Sequence, residues 1–155
     1  MSVAFRRESD DEHLEPHFEL PIPPGPNLVT ARGAAQIAAR LAELEAELAC
    51  LADEEARKKL RRQLRYWRTR QASAQLVPTP DGSCVAIGCT VRFTLHGKAR
   101  EVTIVGDDEA DPAAGLLAFS APLARALMGA EAGDTLDFGG KAEAIAVAAI
   151  SVRAD

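Results

Sequence analysis

Two runs of apolar residues, each repeating at intervals of 4, 3, 4 and 3, constrain this 155-residue chain more than any other feature. The first is Ile37, Leu41, Leu44, Leu48 and Leu51; the second is Leu60, Leu64, Trp67, Gln71 and Ala74. That spacing is the stripe by which helices pack along their length. The phase breaks between the runs, because extending the first would bring Glu55 and Lys58 into it. Thr30 is placed to cap the first helix and Asp53 the second, with Glu54 and Glu55 in a first turn whose dipole favours negative charge. The expectation is two antiparallel helices, about 31–51 and 54–76, turning near Ala52 and Asp53. No Gly or Pro marks that turn, so the alternative is one long helix that buries both stripes by dimerising.

The flanks differ in character. Residues 1–28 read as an extended tail, with Glu8, Asp10, Asp11, Glu12, Glu15 and Glu19 against Arg6 and Arg7. Its stretch Pro21-Ile22-Pro23-Pro24-Gly25-Pro26 cannot be helical, since each proline fixes φ and lacks a backbone donor. His13 and His17 share the i, i+4 spacing of a metal pair, but only an ordered segment would hold them together. The helical hairpin, 29–77, ends where Val77-Pro78-Thr79-Pro80-Asp81-Gly82 breaks the pattern. Beyond it, short strands are expected at 88–95, 100–105, 116–120, 134–138 and 144–152, with a turn at His96-Gly97-Lys98. Pro122 to Met128 reads as a short helix, with proline at its start and Gly129 at its end. The fold class is therefore α+β: a helical hairpin followed by a β-rich domain over residues 83–155.

Charge is unevenly spread. A net charge of −5 argues against coating nucleic acid through overall charge. Residues 57–70 nevertheless carry eight bases and no acid. Arg57, Lys58, Arg61, Arg62, Arg65 and Arg68 are the candidates for facing RNA or another anionic wall. The plainer reading is a solvated helix face, paired in part with Glu43, Glu45 and Glu47. Trp67 fits the apolar stripe, which leaves its neighbour Tyr66 as the exposed aromatic. Cys50, Cys84 and Cys89 are odd in number and irregularly spaced, a poor disulfide framework and a poor zinc site. They read as small hydrophobes of a reducing cytosol. No run is long and apolar enough for a signal peptide or a membrane span, so a cytoplasmic protein without membrane contact is expected.

One region carries a resemblance. The turn Val105-Gly106-Asp107-Asp108-Glu109-Ala110-Asp111 is followed by Phe119-Ser120-Ala121-Pro122-Leu123-Ala124-Arg125-Ala126-Leu127-Met128-Gly129 and then by Glu131-Ala132-Gly133-Asp134. Order and spacing closely resemble the C-terminal domain of the Gre transcription elongation factors. Upstream, Leu28-Val29-Thr30-Ala31-Arg32-Gly33 is similar to the start of that family's hairpin, with Ala31 where the family has proline. The resemblance implies an FKBP-like C-terminal domain that docks on bacterial RNA polymerase at the rim of its secondary channel. Carried over by position, the docking residues are Asp107, Asp108, Glu109, Asp111, Ser120 and Pro122, and Ala121 replaces the family's second serine.

The resemblance also implies that acids at the hairpin tip, here Asp53, Glu54 and Glu55, would help hold a Mg²⁺ shared with the polymerase active site. Carboxylates suit that hard cation. No cofactor or metal intrinsic to this chain is implied, nor any catalysis of its own. Nascent RNA is a second implied partner. The family's tip motif, however, is absent, and a helix of about 20 residues spans only ~30 Å. In this the chain is similar to the regulator-of-nucleoside-diphosphate-kinase branch, a short-hairpin relative that occupies the channel without the usual cleavage. Two readings of other classes stay open. An FKBP-like prolyl isomerase would need an aromatic-lined pocket, for which the C-terminal half offers only Phe93, Phe119 and Phe138. A dimeric coiled-coil adaptor would contradict the monomer that a hairpin predicts.

Overall fold

The computed structural model describes residues 19–154. The chain opens on a strand, β1 (Asn27–Val29), and enters helix α1 (Ala31–Cys50) and then helix α2 (Glu54–Ser73). It leaves through β2 (Ala74–Leu76), which pairs parallel with β1 in the register Asn27↔Ala74 to Val29↔Leu76. The hairpin thus springs from a two-stranded clasp. The expectation of helix through residue 76 is corrected here: α2 ends at Ser73. Pro78 disfavours helical backbone just before it, and the extended 74–76 segment gains main-chain bonds from β1. The Val77 amide continues this pairing, donating to the Val29 carbonyl at 2.9 Å. Residues 1–18 and 155, including His13 and His17, lie outside the described residues.

The two helices fold back on each other, which excludes the single long rod. Leu41 and Leu44 of α1 bury against Leu60 and Leu64 of α2, with Leu48, Leu51 and Trp67 partly buried beside them. Gln71, expected in the second stripe, is exposed. The stripe ends instead at Arg70, one turn beyond Trp67 and only 2% exposed. Local chemistry explains a turn without glycine or proline. Asp53 accepts a hydrogen bond from the Ala56 amide at 2.9 Å, starting α2. Arg57 donates to the Leu48 and Leu51 carbonyls at 2.8 and 2.7 Å, satisfying groups orphaned at the end of α1.

The second half is a five-stranded sheet in the order β5-β4-β3-β7-β6. Its strands are β3 (Cys89–Leu95), β4 (Lys98–Val105), β5 (Leu116–Ala118), β6 (Thr135–Phe138) and β7 (Lys141–Val152). β3 and β4 are joined by His96 and Gly97, both at positive φ, as a tight two-residue hairpin requires. Alternation sends Val91, Phe93, Val102, Ile104, Ile145 and Val147 to one face, where Ala124 and Leu127 of helix α3 (Pro122–Leu127) cover them. β5 runs parallel to β4, so the chain must cross over between them. Residues 106–115 make that crossing and set the acidic turn against the base of the hairpin.

Candidate functional site

Joining the halves requires close backbone approach. Gly106, just past β4, lies so near β1 that a Cβ there would sit 2.5 Å from the Leu28 carbonyl oxygen. Only glycine allows that contact. Gly33, in the first turn of α1, plays the matching part: a Cβ would lie 2.9 Å from Oε1 of Glu109. These two glycines let the acidic turn sink into the joint.

Glu109 is buried there, its side chain 1% exposed. Oε1 accepts from Thr30 Oγ1 at 2.6 Å, and the same hydroxyl oxygen accepts from the Gly33 amide at 3.0 Å. Oε2 accepts from Arg153, beyond β7, at 2.6 Å. One carboxylate therefore ties the N-terminus of α1 to the end of the sheet. Asp108 does the same for α2: it accepts from Arg70 Nε at 2.6 Å and from the Tyr66 hydroxyl. Arg70 also donates to Asn27 Oδ1 at 2.7 Å, while Asn27 Nδ2 donates to the Arg70 carbonyl at 2.8 Å. Asp107 lies 4.0 Å from Arg70 and accepts from the Ser120 hydroxyl. Burial, reinforced by the bond to Asp108 and its negative charge, pushes the Tyr66 hydroxyl well above its ordinary pKa. No buried side-chain nitrogen or oxygen among the described residues lacks a partner. Such closure is what a buried ionic network needs if it is not to destabilise.

The expected docking residues thus separate into two groups. Glu109 and Asp108 face inward and hold the hairpin on the sheet; a carboxylate buried behind Thr30 or Arg70 cannot meet a partner's charge. Asp107 is nearly covered, its side chain 11% exposed. Asp111 and Pro122 are exposed and Ser120 half-buried, grouped around β5 and the start of α3. Tyr66, expected to be free, is corrected as well: its hydroxyl belongs to the joint and its ring packs edge-on against Trp67, centroids 5.1 Å apart. Asn27 and Arg153 were not singled out from sequence, and Thr30 was expected only as the cap of α1 and Arg70 only as one of the eight bases. An acidic turn with no base nearby was the available signal for them.

At the tip, Asp53, Glu54 and Glu55 are all exposed. Asp53 caps α2, Glu54 lies 3.4 Å from Arg61 and Glu55 3.7 Å from Lys58. Each tip acid is thus already engaged with a neighbour. The basic run is also less free than its composition suggests. Besides Arg57, which caps α1, Arg68 meets Glu45 at 3.3 Å, and Arg65 takes Glu19 through a two-pronged contact at 2.7 and 2.8 Å. Arg62 is half-buried beside them on α2. Among the described residues no group of three or more His, Cys, Asp or Glu is placed to hold a metal ion, and no helix is long and apolar enough to cross a membrane. The three cysteines are free, and burial pushes the Cys89 thiol up in pKa.

A cavity of about 90 Å³ lies between the clasp and the sheet, lined by Leu76, Val77, Pro78, Ile87 and Val152 among others. No aromatic residue lines it. Phe93 is in the sheet core, with Phe119 and Phe138 packed against that core.

A helical hairpin clasped at its base to a mixed five-stranded sheet, with the acidic crossover at the joint, defines a two-part α+β protein. Residues 79–154 match the model of the GreA/GreB transcription elongation factor C-terminal domain. The likeness to the GreA/GreB family thus lies in this C-terminal half of the chain. The chain is similar to the transcription elongation factor GreA of Desulfovibrio desulfuricans, 39% identical over 75 residues, 46% of each protein. It is also similar to GreA of Agrobacterium fabrum, 45% identical over 58 residues, 36% of this chain and 37% of that protein. The matches thus span less than half the length of these curated relatives. Among solved structures, the GreA/GreB elongation factor of Nitrosomonas europaea covers 83% of this chain and 99% of its own at 20% identity and a TM-score of 0.40. A superposition that loose supports no residue-by-residue correspondence.

Proposed function

We propose that this protein is a Gre-type elongation factor that docks on bacterial RNA polymerase through its C-terminal domain and places its helical hairpin in the secondary channel. The observation that carries the reading is the GreA/GreB C-terminal domain at residues 79–154, joined through a buried ionic network to a hairpin. The docking surface in this reading is Asp111, Ser120 and Pro122, with the edge of Asp107. Asp108 and Glu109 act from behind, fixing the direction in which the hairpin points. Small apolar groups beside one or two carboxylates suit a basic helical partner, charge orienting it and burial supplying affinity.

The hairpin favours channel occupancy over stimulated transcript cleavage. Each helix has 20 residues, a reach of ~30 Å. Asp53 is committed to a cap, and Glu54 and Glu55 to neighbouring bases.

A backtracked polymerase complex with Mg²⁺ tests this. The protein is expected to bind and to alter elongation without accelerating cleavage. Acceleration that disappears in Asp53→Ala/Glu54→Ala/Glu55→Ala would establish cleavage stimulation instead. Failure of wild type to bind polymerase, or binding indifferent to both Asp111→Arg and Pro122→Arg, would overturn the docking reading.

A further inference from the structure

The cysteines are reactive groups that the docking reading leaves unused. Cys50 is exposed at the end of α1, whereas Cys84 and Cys89 flank one short loop. Cys89 opens β3 and is 0% exposed, while Cys84 is half-buried. The Cys89 sulfur lies 3.7 Å from the carbonyl oxygen of Cys84, against the main chain of its neighbour in the pair. Burial is the main cause that pushes the Cys89 thiol up in pKa, and the nearby Cys84 thiol adds to it. A disulfide asks for Cβ atoms only ~4 Å apart. A sulfur seated on residue 84's own carbonyl is within a side-chain rotation of that arrangement.

The backbone holds the pair in this relation. Beside Cys84, the Val85 amide donates to the Ala130 carbonyl and the Val85 carbonyl accepts from the Gly129 amide, both at 2.8 Å. Cys89 itself pairs with Val152 of β7. The turn between the cysteines closes through the Cys89 amide, which donates to the Ala86 carbonyl at 3.0 Å, with Gly88 at a φ of +100°. Gly88 donates to the Ile104 carbonyl at 2.7 Å and accepts from the Arg153 amide at 3.0 Å. Arg153 is the residue whose guanidinium holds Glu109, so this loop borders the joint.

We infer that Cys84 and Cys89 form a reversible dithiol–disulfide site for small-molecule disulfides, whose closure is felt at the joint through Gly88 and Arg153. Exposure sets the order of events, since Cys84 is partly open to solvent and Cys89 is sealed from it. The Cys84 thiolate attacks one sulfur of the reagent, whose own S–S bond breaks and releases one thiol. Cys89 then gives up its proton and attacks the Cys84 sulfur, releasing the second thiol. Two protein thiols are thereby oxidised by two electrons, and the reagent is reduced to two thiols. Cys84 is the entry point and Cys89 the resolving thiol.

The test uses the full chain with Cys50→Ser, so that only this pair reacts. Folded protein is equilibrated with graded mixtures of reduced and oxidised glutathione, quenched in acid, alkylated and cut with trypsin. Both cysteines fall in one tryptic peptide, residues 71–92. The expected product is that peptide lighter by two hydrogens and free of alkyl groups, returned to the dithiol by dithiothreitol. A reaction that stops at glutathione on Cys84, or a peptide doubly alkylated at every ratio, overturns the site. In Cys50→Ser/Cys84→Ser the remaining thiol should stay unmodified in the folded chain, and glutathione on Cys89 would overturn the order of attack. The amide NMR spectrum of the oxidised chain should shift at Gly88 and Arg153 as well as at the cysteines. Unchanged signals at both would overturn the link to the joint. None of these readings involves polymerase, so they stand or fall apart from the docking proposal.

Discussion

At the scale of single residues, the chemistry of the joint converges on Tyr66. It is the only tyrosine in the chain, so its ionisation can be followed directly by tyrosinate absorbance. Burial is the main cause of its raised pKa, followed by the bond to Asp108 and that residue's negative charge, with Arg70 opposing. The folded pKa lies above the unfolded value. Between the two, the folded chain keeps a proton that the unfolded chain has lost. Tyr66 therefore adds stability that is complete below about pH 10 and falls as pH rises beyond it. The expected titration is a midpoint above that of the urea-unfolded chain, moving down in Asp108→Asn. A midpoint at the ordinary value would mean that the hydroxyl is not held in the joint.

Among the elements, the tip gives the sharpest separation of structural from chemical roles. Asp53 both caps α2 and is a candidate acid for polymerase chemistry. Asparagine caps about as well as aspartate but lacks the charge. Asp53→Ala should therefore cost about 1 kcal/mol in urea denaturation, while Asp53→Asn should cost only a few tenths. Equal losses in both variants would mean that charge, not capping, is what Asp53 contributes.

The elements also show what a sequence can and cannot convey. Periodicity conveyed the helices because Leu41, Leu44, Leu60 and Leu64 repeat with the helical period and bury one face. Alternation conveyed the strands for the same reason. The clasp was hidden, because three-residue strands such as 27–29 and 74–76 have no period and pair across a separation of 47 residues. The joint was hidden by a different effect. Arg70 lies within a run of eight bases and Glu109 within a run of acids, so composition marks both as surface groups. Only the fold shows that each is matched by a distant partner and withdrawn from water. The family resemblance located the acidic turn, whereas which carboxylates face inward depended on Thr30, Arg70 and Arg153, up to 79 residues away.

For the molecule as a whole, Arg70 is the residue on which the direction of the hairpin depends. Its guanidinium is 2% exposed and meets Asp108, whose side chain is 8% exposed. Removing one partner of a buried pair leaves the other charged and uncompensated, at a cost of roughly 3–5 kcal/mol. Arg92 offers a control, since its contact with Glu101 is exposed on both sides and its loss should stay within about 0.5 kcal/mol. Arg70→Met should do more than lower stability. The single tryptophan, Trp67, reports on the hairpin, and amide exchange in β3 and β7 reports on the sheet. In wild type the two should unfold together, because Glu109 and Arg70 tie both ends of the hairpin to the sheet. In Arg70→Met the fluorescence transition should move to lower urea than loss of protection in the sheet, with the hairpin loosening first. Arg70→Met/Asp108→Leu should recover part of the loss, since it removes the stranded charge as well. If Arg70→Met behaves like Arg92→Met and both probes still coincide, the ionic joint is not what couples the hairpin to the sheet, and the clasp with the Gly106 contact holds it alone.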